Sequence, residues 1–134
     1  MSDIKARIDH LGIAVRGIDE ALPFYTEQLA LTQAVRETVV GEKVNVAMLL
    51  AGDTRIELLE ATGPESPIAK FIEKRGPGLH HIALQVDDLE ASIDRIKAAG
   101  GRVLNEPKRG AGGHLYAFIH PESSGGVLIE LIQR

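Results

Sequence analysis

From Ile8 to Val15, bulky apolar residues alternate with small or polar ones: Leu11, Ile13 and Val15 against His10, Gly12 and Ala14. That period of two predicts a strand, with His10 on the side of the small residues. From Ile18 to about Leu29 the period lengthens. Ala21, Leu22, Phe24, Tyr25 and Leu29 make the stripe of an amphipathic helix, with Asp19 near its start. Pro23 is expected in the first turn, where a missing N–H costs little. Three strands are expected next, at about 33–41, 43–51 and 54–60, with Gly41 and Ala51-Gly52-Asp53 as turns. Pro64-Glu65-Ser66-Pro67 leads into a short helix from Ile68 to about Lys74, stopped by Arg75-Gly76-Pro77-Gly78. The pattern then repeats. A strand is expected at 79–86, a helix at about 88–99, a short strand near 102–105, and strands at about 114–120 and 126–132.

The β-α-β-β-β order thus occurs twice, and the residues echo it. Ile8-Asp9-His10-Leu11-Gly12-Ile13-Ala14-Val15 matches Leu79-His80-His81-Ile82-Ala83-Leu84-Gln85-Val86, and Ile56-Glu57-Leu58-Leu59 matches Ile129-Glu130-Leu131-Ile132. The histidines are offset by 71 residues, from 10 to 81, and the glutamates by 73, from 57 to 130. A near-constant offset indicates two copies of one structural unit. Each copy opens on a strand carrying a His and closes on a strand carrying a Glu. Paired by a pseudo-two-fold, they would set His10, Glu57, His81 and Glu130 around one point, a ligand set for a divalent cation. The fold expected is α+β, two paired βαβββ modules forming a half-barrel around a central metal site. One domain is expected across 1–134, with repeats at about 7–62 and 79–134 and a connector helix at about 65–75.

Composition narrows the chemistry. The 134 residues include no Cys, which excludes thiolate metal sites and thiol nucleophiles. The net charge is −4 with both signs dispersed, Trp is absent, and Tyr and Phe number two and three. A nucleic-acid face wants a basic stripe with stacking aromatics, so none is expected. No apolar run approaches the ~20 residues of a membrane span, and Met-Ser-Asp-Ile-Lys-Ala-Arg has no signal-peptide core. A soluble cytoplasmic protein is expected.

Other polar groups have blander readings beside functional ones. Glu57 and Glu130 sit inside apolar strands, which is costly unless a cation or donor meets them; otherwise they face solvent on an open sheet. His80 has opposite parity to His81 and is expected to pack. Lys108-Arg109 before Gly110-Ala111-Gly112-Gly113 reads either as a loop approaching an anionic substrate or as an ordinary hairpin. Lys70, Lys74 and Arg75 could meet phosphates, though a solvated helix face accounts for them. His114 and His120 lack repeat partners and are read as structural. Ser123 and Ser124 lie in a turn without a nucleophile-elbow motif.

Paired βαβββ modules with His…Glu…His…Glu resemble the vicinal oxygen chelate (glyoxalase/bleomycin-resistance) superfamily across nearly the whole chain. More narrowly, Ile8-Asp9-His10, Ser66-Pro67-Ile68-Ala69-Lys70-Phe71, Gly78-Leu79-His80-His81-Ile82-Ala83, Gly110-Ala111-Gly112-Gly113-His114, His120-Pro121 and Gly125-Gly126-Val127-Leu128-Ile129-Glu130-Leu131 are similar to the methylmalonyl-CoA epimerase family. The resemblance implies a homodimer that interconverts (S)- and (R)-methylmalonyl-CoA using a divalent metal, often cobalt. Mn, Zn, Ni and Fe suit the same donors. His10, His81 and Glu130 match the family's ligand positions. Glu57 falls where relatives carry Gln or Glu. The implied chemistry is loss and return of the C2 proton through an enolate held by the metal, with Glu130 and Glu57 as the expected acid–base pair. A ligating carboxylate is a poor base until its bond to the metal weakens. Some relatives place a Glu just before the Ala-Met-Leu of the third strand, where this chain has Val46; Asn45 and Glu42 lie nearby. The same donors would serve a glyoxalase I-type lyase on a glutathione hemithioacetal. A ring-cleaving dioxygenase and a metal-free small-molecule-binding or resistance protein are the remaining alternatives.

Overall fold

The computed structural model describes residues 6–110 and 113–134. Its elements, in chain order, are β1 (Ala6–Ala14), α1 (Ile18–Pro23), β2 (Thr32–Val39), β3 (Val44–Ala51), β4 (Thr54–Ala61), α2 (Pro67–Arg75), β5 (Gly78–Val86), α3 (Leu89–Ala98), β6 (Lys108–Arg109), β7 (Leu115–Ile119) and β8 (Ile129–Gln133). Contacts divide the chain into two units: His10–His80, and His81–Arg134 together with the chain through Asp9. Among the described residues, no helix is long and apolar enough to cross a membrane.

In the His10–His80 unit the strands lie in the order β2-β3-β4-β1. β1 runs parallel to β4, and the other neighbours are antiparallel. Both faces of this sheet carry apolar residues, so β3 reads as a near-continuous hydrophobic run rather than a strict alternation. One face packs Ala47, Leu49 and Leu58 under α1. The other packs Ala14, Val44, Val46 and Leu59 against Ile68, Phe71 and Ile72 of α2. Ser66 starts α2, its hydroxyl accepting the Ile68 N–H at 3.1 Å. His80, at this unit's end, meets the Phe71 ring edge-on with centroids 5.0 Å apart.

The other unit repeats the plan as β5-β8-β7-β6, with β5 parallel to β8. Here α3 covers one face through Leu89 and Ile93, against Val86, Ala117, Ile119 and Leu131. Asp9 belongs to this unit. Its carboxylate, 4% exposed as a residue, accepts both Nε and Nη2 of Arg134 at 2.8 and 3.0 Å.

Three expectations change. Pro23 stands six residues into α1, not in its first turn. A proline there has no N–H to give, and the chain shifts into a π-helical turn, Phe24–Gln28, closed by the Leu29 N–H on the Phe24 carbonyl at 3.0 Å. The strand expected to 41 ends at Val39, where a 3₁₀ turn, Val40–Glu42, begins and delivers Lys43 with φ of 56°. The strand expected near 102–105 is reduced to a bridge between Val103 and Ile119. The pairing it should supply comes from Lys108–Arg109 instead.

A second duplication, invisible in the apolar pattern, secures the helices. The Ile18 N–H at the start of α1 donates to Glu60 Oε1 at 2.7 Å, and the Leu89 N–H at the start of α3 donates to Gln133 Oε1 at 2.8 Å. Each acceptor lies on the strand that closes its βαβββ repeat. These bonds satisfy N-terminal donors that the helix cannot. Glu60 also accepts Asn45 Nδ2 at 2.8 Å. Glu60→Ala is expected to lower stability by about 1–2 kcal/mol and Gln133→Ala by about 1 kcal/mol. Denaturant melts check this; Glu60→Gln should keep most of the stability because its amide oxygen still accepts.

Candidate active site

Strand register explains how each unit pairs a histidine with a glutamate. β1 and β4 align Gly12 with Glu57, and β5 and β8 align Ala83 with Glu130. In both units the histidine stands two residues before the small residue that faces the carboxylate. A separation of two keeps His and Glu on one face of the sheet, as diagonal neighbours. Gly12 and Ala83 offer little bulk, so each carboxylate can lean toward its imidazole. His10 Nδ1 lies 3.5 Å from Glu57 Oε2, and His81 Nε2 lies 3.1 Å from Glu130 Oε1. His10, His81 and Glu130 are only 4%, 5% and 7% exposed.

The third strand of each unit supplies the next neighbour. Met48 stands opposite Glu57, and Phe118 opposite Glu130. The Phe118 ring meets His81 edge-on at 5.7 Å, and Tyr116 meets Phe118 edge-on at 5.9 Å. These aromatics shield the His81–Glu130 pair from water and lower the local dielectric, which strengthens any charge interaction made there. Sequence reading missed Phe118, Tyr116 and Met48 as neighbours, because their relation to the glutamates depends on cross-strand register.

The remaining candidates separate by face. Val46 is 8% exposed and aligned with Leu59 on the same face as Glu57, packed in the core beside α2. Asn45 has the other parity: it is aligned with Glu60, accepts the Thr38 hydroxyl at 2.6 Å and donates to Glu60. It therefore serves the start of α1, not the face of Glu57. Glu42 lies in the 3₁₀ turn. Of Gly110-Ala111-Gly112-Gly113, Ala111 and Gly112 lie outside the described residues. The rest is a hairpin. Gly110 N–H donates to the His114 carbonyl at 2.8 Å, and Arg109 donates to the Gly113 carbonyl at 2.6 Å. A Cβ on Gly110 would fall 3.1 Å from the Tyr116 ring and from His114 Nε2, so a larger residue there would have to displace those side chains by a few tenths of an ångström. His120 caps the turn Pro121–Ser124 by accepting the Glu122 N–H at 3.0 Å. Ser123 accepts the Arg102 N–H, and Ser124 bonds the Pro121 carbonyl. Lys70 and Lys74 are exposed, and Arg75 lies over the Phe71 ring at 5.9 Å.

A pair of βαβββ units, each with an imidazole and a carboxylate on its inner strands, defines a class. Residues 7–131 match the Glyoxalase/Bleomycin resistance protein/Dioxygenase superfamily, and the chain belongs to it. Within it, the chain groups with the methylmalonyl-CoA epimerases. It is 40% identical to the ethylmalonyl-CoA/methylmalonyl-CoA epimerase of Cereibacter sphaeroides, over 95% of this chain and 97% of that one. A variant of the Streptomyces coelicolor methylmalonyl-CoA epimerase, solved in complex with 2-nitronate-propionyl-CoA, is 36% identical with a TM-score of 0.91, covering 97% of this chain and 98% of that one. A Bacillus halodurans protein of known structure is 45% identical with a TM-score of 0.93, covering 96% of this chain and 94% of that one.

The small residue facing each glutamate is the feature easiest to test. Ala83 is fully buried opposite Glu130. Ala83→Leu is expected to cost about 1–3 kcal/mol through overpacking and to push Glu130 off His81. Thermal melting measures the first effect. Loss of metal uptake under conditions where the variant stays folded measures the second.

Proposed function

We propose that this protein is a methylmalonyl-CoA epimerase that inverts the C2 centre by removing a proton and returning it to the other face. The observation that carries this reading is the duplicated imidazole–carboxylate pair at equivalent register positions. The C2 hydrogen of the substrate lies between a thioester and a carboxylate, so its loss leaves an enolate whose charge falls on oxygen. A nitronate, the group held in the Streptomyces coelicolor relative, has the same planar, oxygen-centred charge.

His10, Glu57, His81 and Glu130 fit a divalent cation by their donor chemistry. Each unit contributes one imidazole nitrogen and one carboxylate oxygen within 3.5 Å of each other. Protein sites for such ions take three or four donors, and all four of these residues are assigned as ligands. When bound, the cation supplies a Lewis acid against which negative charge on substrate oxygen is stabilised. Cobalt, manganese, zinc and nickel are all compatible with this donor set.

The chain's own residues do the rest. Glu130 and Glu57 are the carboxylates assigned to proton transfer: one takes the C2 proton, and the other returns one from the opposite side. His81 and His10 hold them in place. Phe118 shields the Glu130 side while the enolate exists, and each carboxylate exchanges its proton with solvent between turnovers. The assembly goes with a cytoplasmic homodimer acting on a free CoA thioester.

Cobalt-loaded protein incubated with one epimer in D₂O is expected to incorporate deuterium at C2 as the other epimer forms. Glu57→Gln and Glu130→Gln should each slow exchange about 10²–10⁴-fold. Exchange lost with metal retained marks a proton carrier; metal lost marks a ligand. Wild-type protein that holds metal but gives no exchange at C2 would sink the proposal and bring glutathione hemithioacetals forward.

A further inference from the structure

Register extends the repeat beyond its His/Glu centre. Glu37 on β2 is aligned with Val46, which is aligned with Leu59, two residues past Glu57. Lys108 on β6 is aligned with Tyr116, which is aligned with Ile132, two residues past Glu130. Glu37 and Lys108 are therefore the same position of the repeat, offset by 71 residues, from 37 to 108, as the histidines are. Cross-strand partners share a face, so Lys108 stands on the face that carries His81, Glu130, Phe118 and Tyr116. The inner positions of the two units are alike. The outer ones differ in charge and in size, with Glu37 over Val46 in one unit and Lys108 over Tyr116 in the other.

Arg109, the neighbouring cation, has the opposite parity and is engaged by the hairpin through Gly113. Lys108 is exposed, and among the described residues it forms no ion pair. Among the described strand residues on this face of its unit, it is the one cation. Two strand spacings of about 4.8 Å and two residues of rise put its Cα about 12 Å from that of Glu130. A four-carbon stem reaching about 6 Å lets the ammonium sample positions from near the carboxylate to well outside it.

Resting on the epimerase reading above, we infer that Lys108 anchors an anionic group of the thioester substrate and so sets its position on the Glu130 face. The chemistry is that of an ammonium donating to carboxylate or phosphate oxygen. A CoA thioester of a malonyl acid offers both: the acyl carboxylate near the reacting carbon, and the phosphates at the far end of the pantetheine arm. Lys108 is a positioning residue for orientation and affinity. Glu130 remains the proton carrier of this unit.

The test is steady-state epimerisation by the metal-loaded wild type, Lys108→Ala, Lys108→Arg and Arg109→Ala. It uses methylmalonyl-CoA and methylmalonyl-pantetheine, which lacks the phosphates. Lys108→Ala is expected to raise KM for the CoA substrate about tenfold, the scale of one hydrogen bond to a charged group. Lys108→Arg should restore most of it, and Arg109→Ala should change it little. The wild-type KM should also rise with salt more steeply than that of Lys108→Ala. If the variant's defect vanishes on the pantetheine substrate, the anchored group is phosphate; if kcat/KM falls equally on both, it is the acyl carboxylate. An unchanged KM and salt response in Lys108→Ala, with the wild type active, overturns this inference and leaves the epimerase reading standing. A wild type that turns over neither substrate overturns both.

Discussion

Glu130, a carboxylate held at 7% exposure between apolar strand neighbours, is the constraint around which its half of this molecule is arranged. Left alone, it would cost several kcal/mol. His81 at 3.1 Å relieves it only because β5 and β8 run parallel, with a small residue facing Glu130. Parallel neighbours cannot be joined by a tight turn; they require a long crossover. The helix and two intervening strands of each βαβββ unit are that crossover, put to use as a cover and as a floor. The same logic holds for His10 and Glu57 on β1 and β4, where glycine takes the facing position.

The helices follow from this arrangement. Once the closing strand is fixed by its glutamate, the residue three further on can reach the start of the unit's helix. Glu60 and Gln133 do so, one as a carboxylate and one as an amide. Beyond this shared frame the halves diverge. α1 gives way at Pro23 to a π turn, whereas α3 continues as a regular helix. The outer register positions carry Glu37 and Val46 in one unit, Lys108 and Tyr116 in the other. A duplicated scaffold keeps what the buried charge demands and varies its outer strand positions.

Much of this was legible in the residues themselves. Alternation around His10 and His81, and the echo of Ile-Glu-Leu at 56–58 and 129–131, located the strands that matter and their common face. Local pattern failed where distant geometry decides. Lys108–Arg109 have no apolar alternation, and only their partners Tyr116 and Leu115 make them a strand. Asn45 and Val46 were indistinguishable until register assigned one to the helix start and the other to the core beside α2. Pro23 was misplaced because a helix can absorb a proline by widening its turn, which no pattern of apolar residues records. The Phe118 contact with His81 had no sequence signal, since it joins residues from strands that are not neighbours in sequence.

The Asp9–Arg134 pair links positions 125 residues apart within one unit. The His10–His80 unit is continuous in sequence, whereas the other is assembled from the two ends of the described chain. In vectorial synthesis the continuous unit emerges whole and can fold first, while Asp9 must wait for Arg134 to be made. Until then Asp9 is a solvated charge within the strand segment Ala6–Asp9, the kind of residue that keeps such a segment from pairing with another copy.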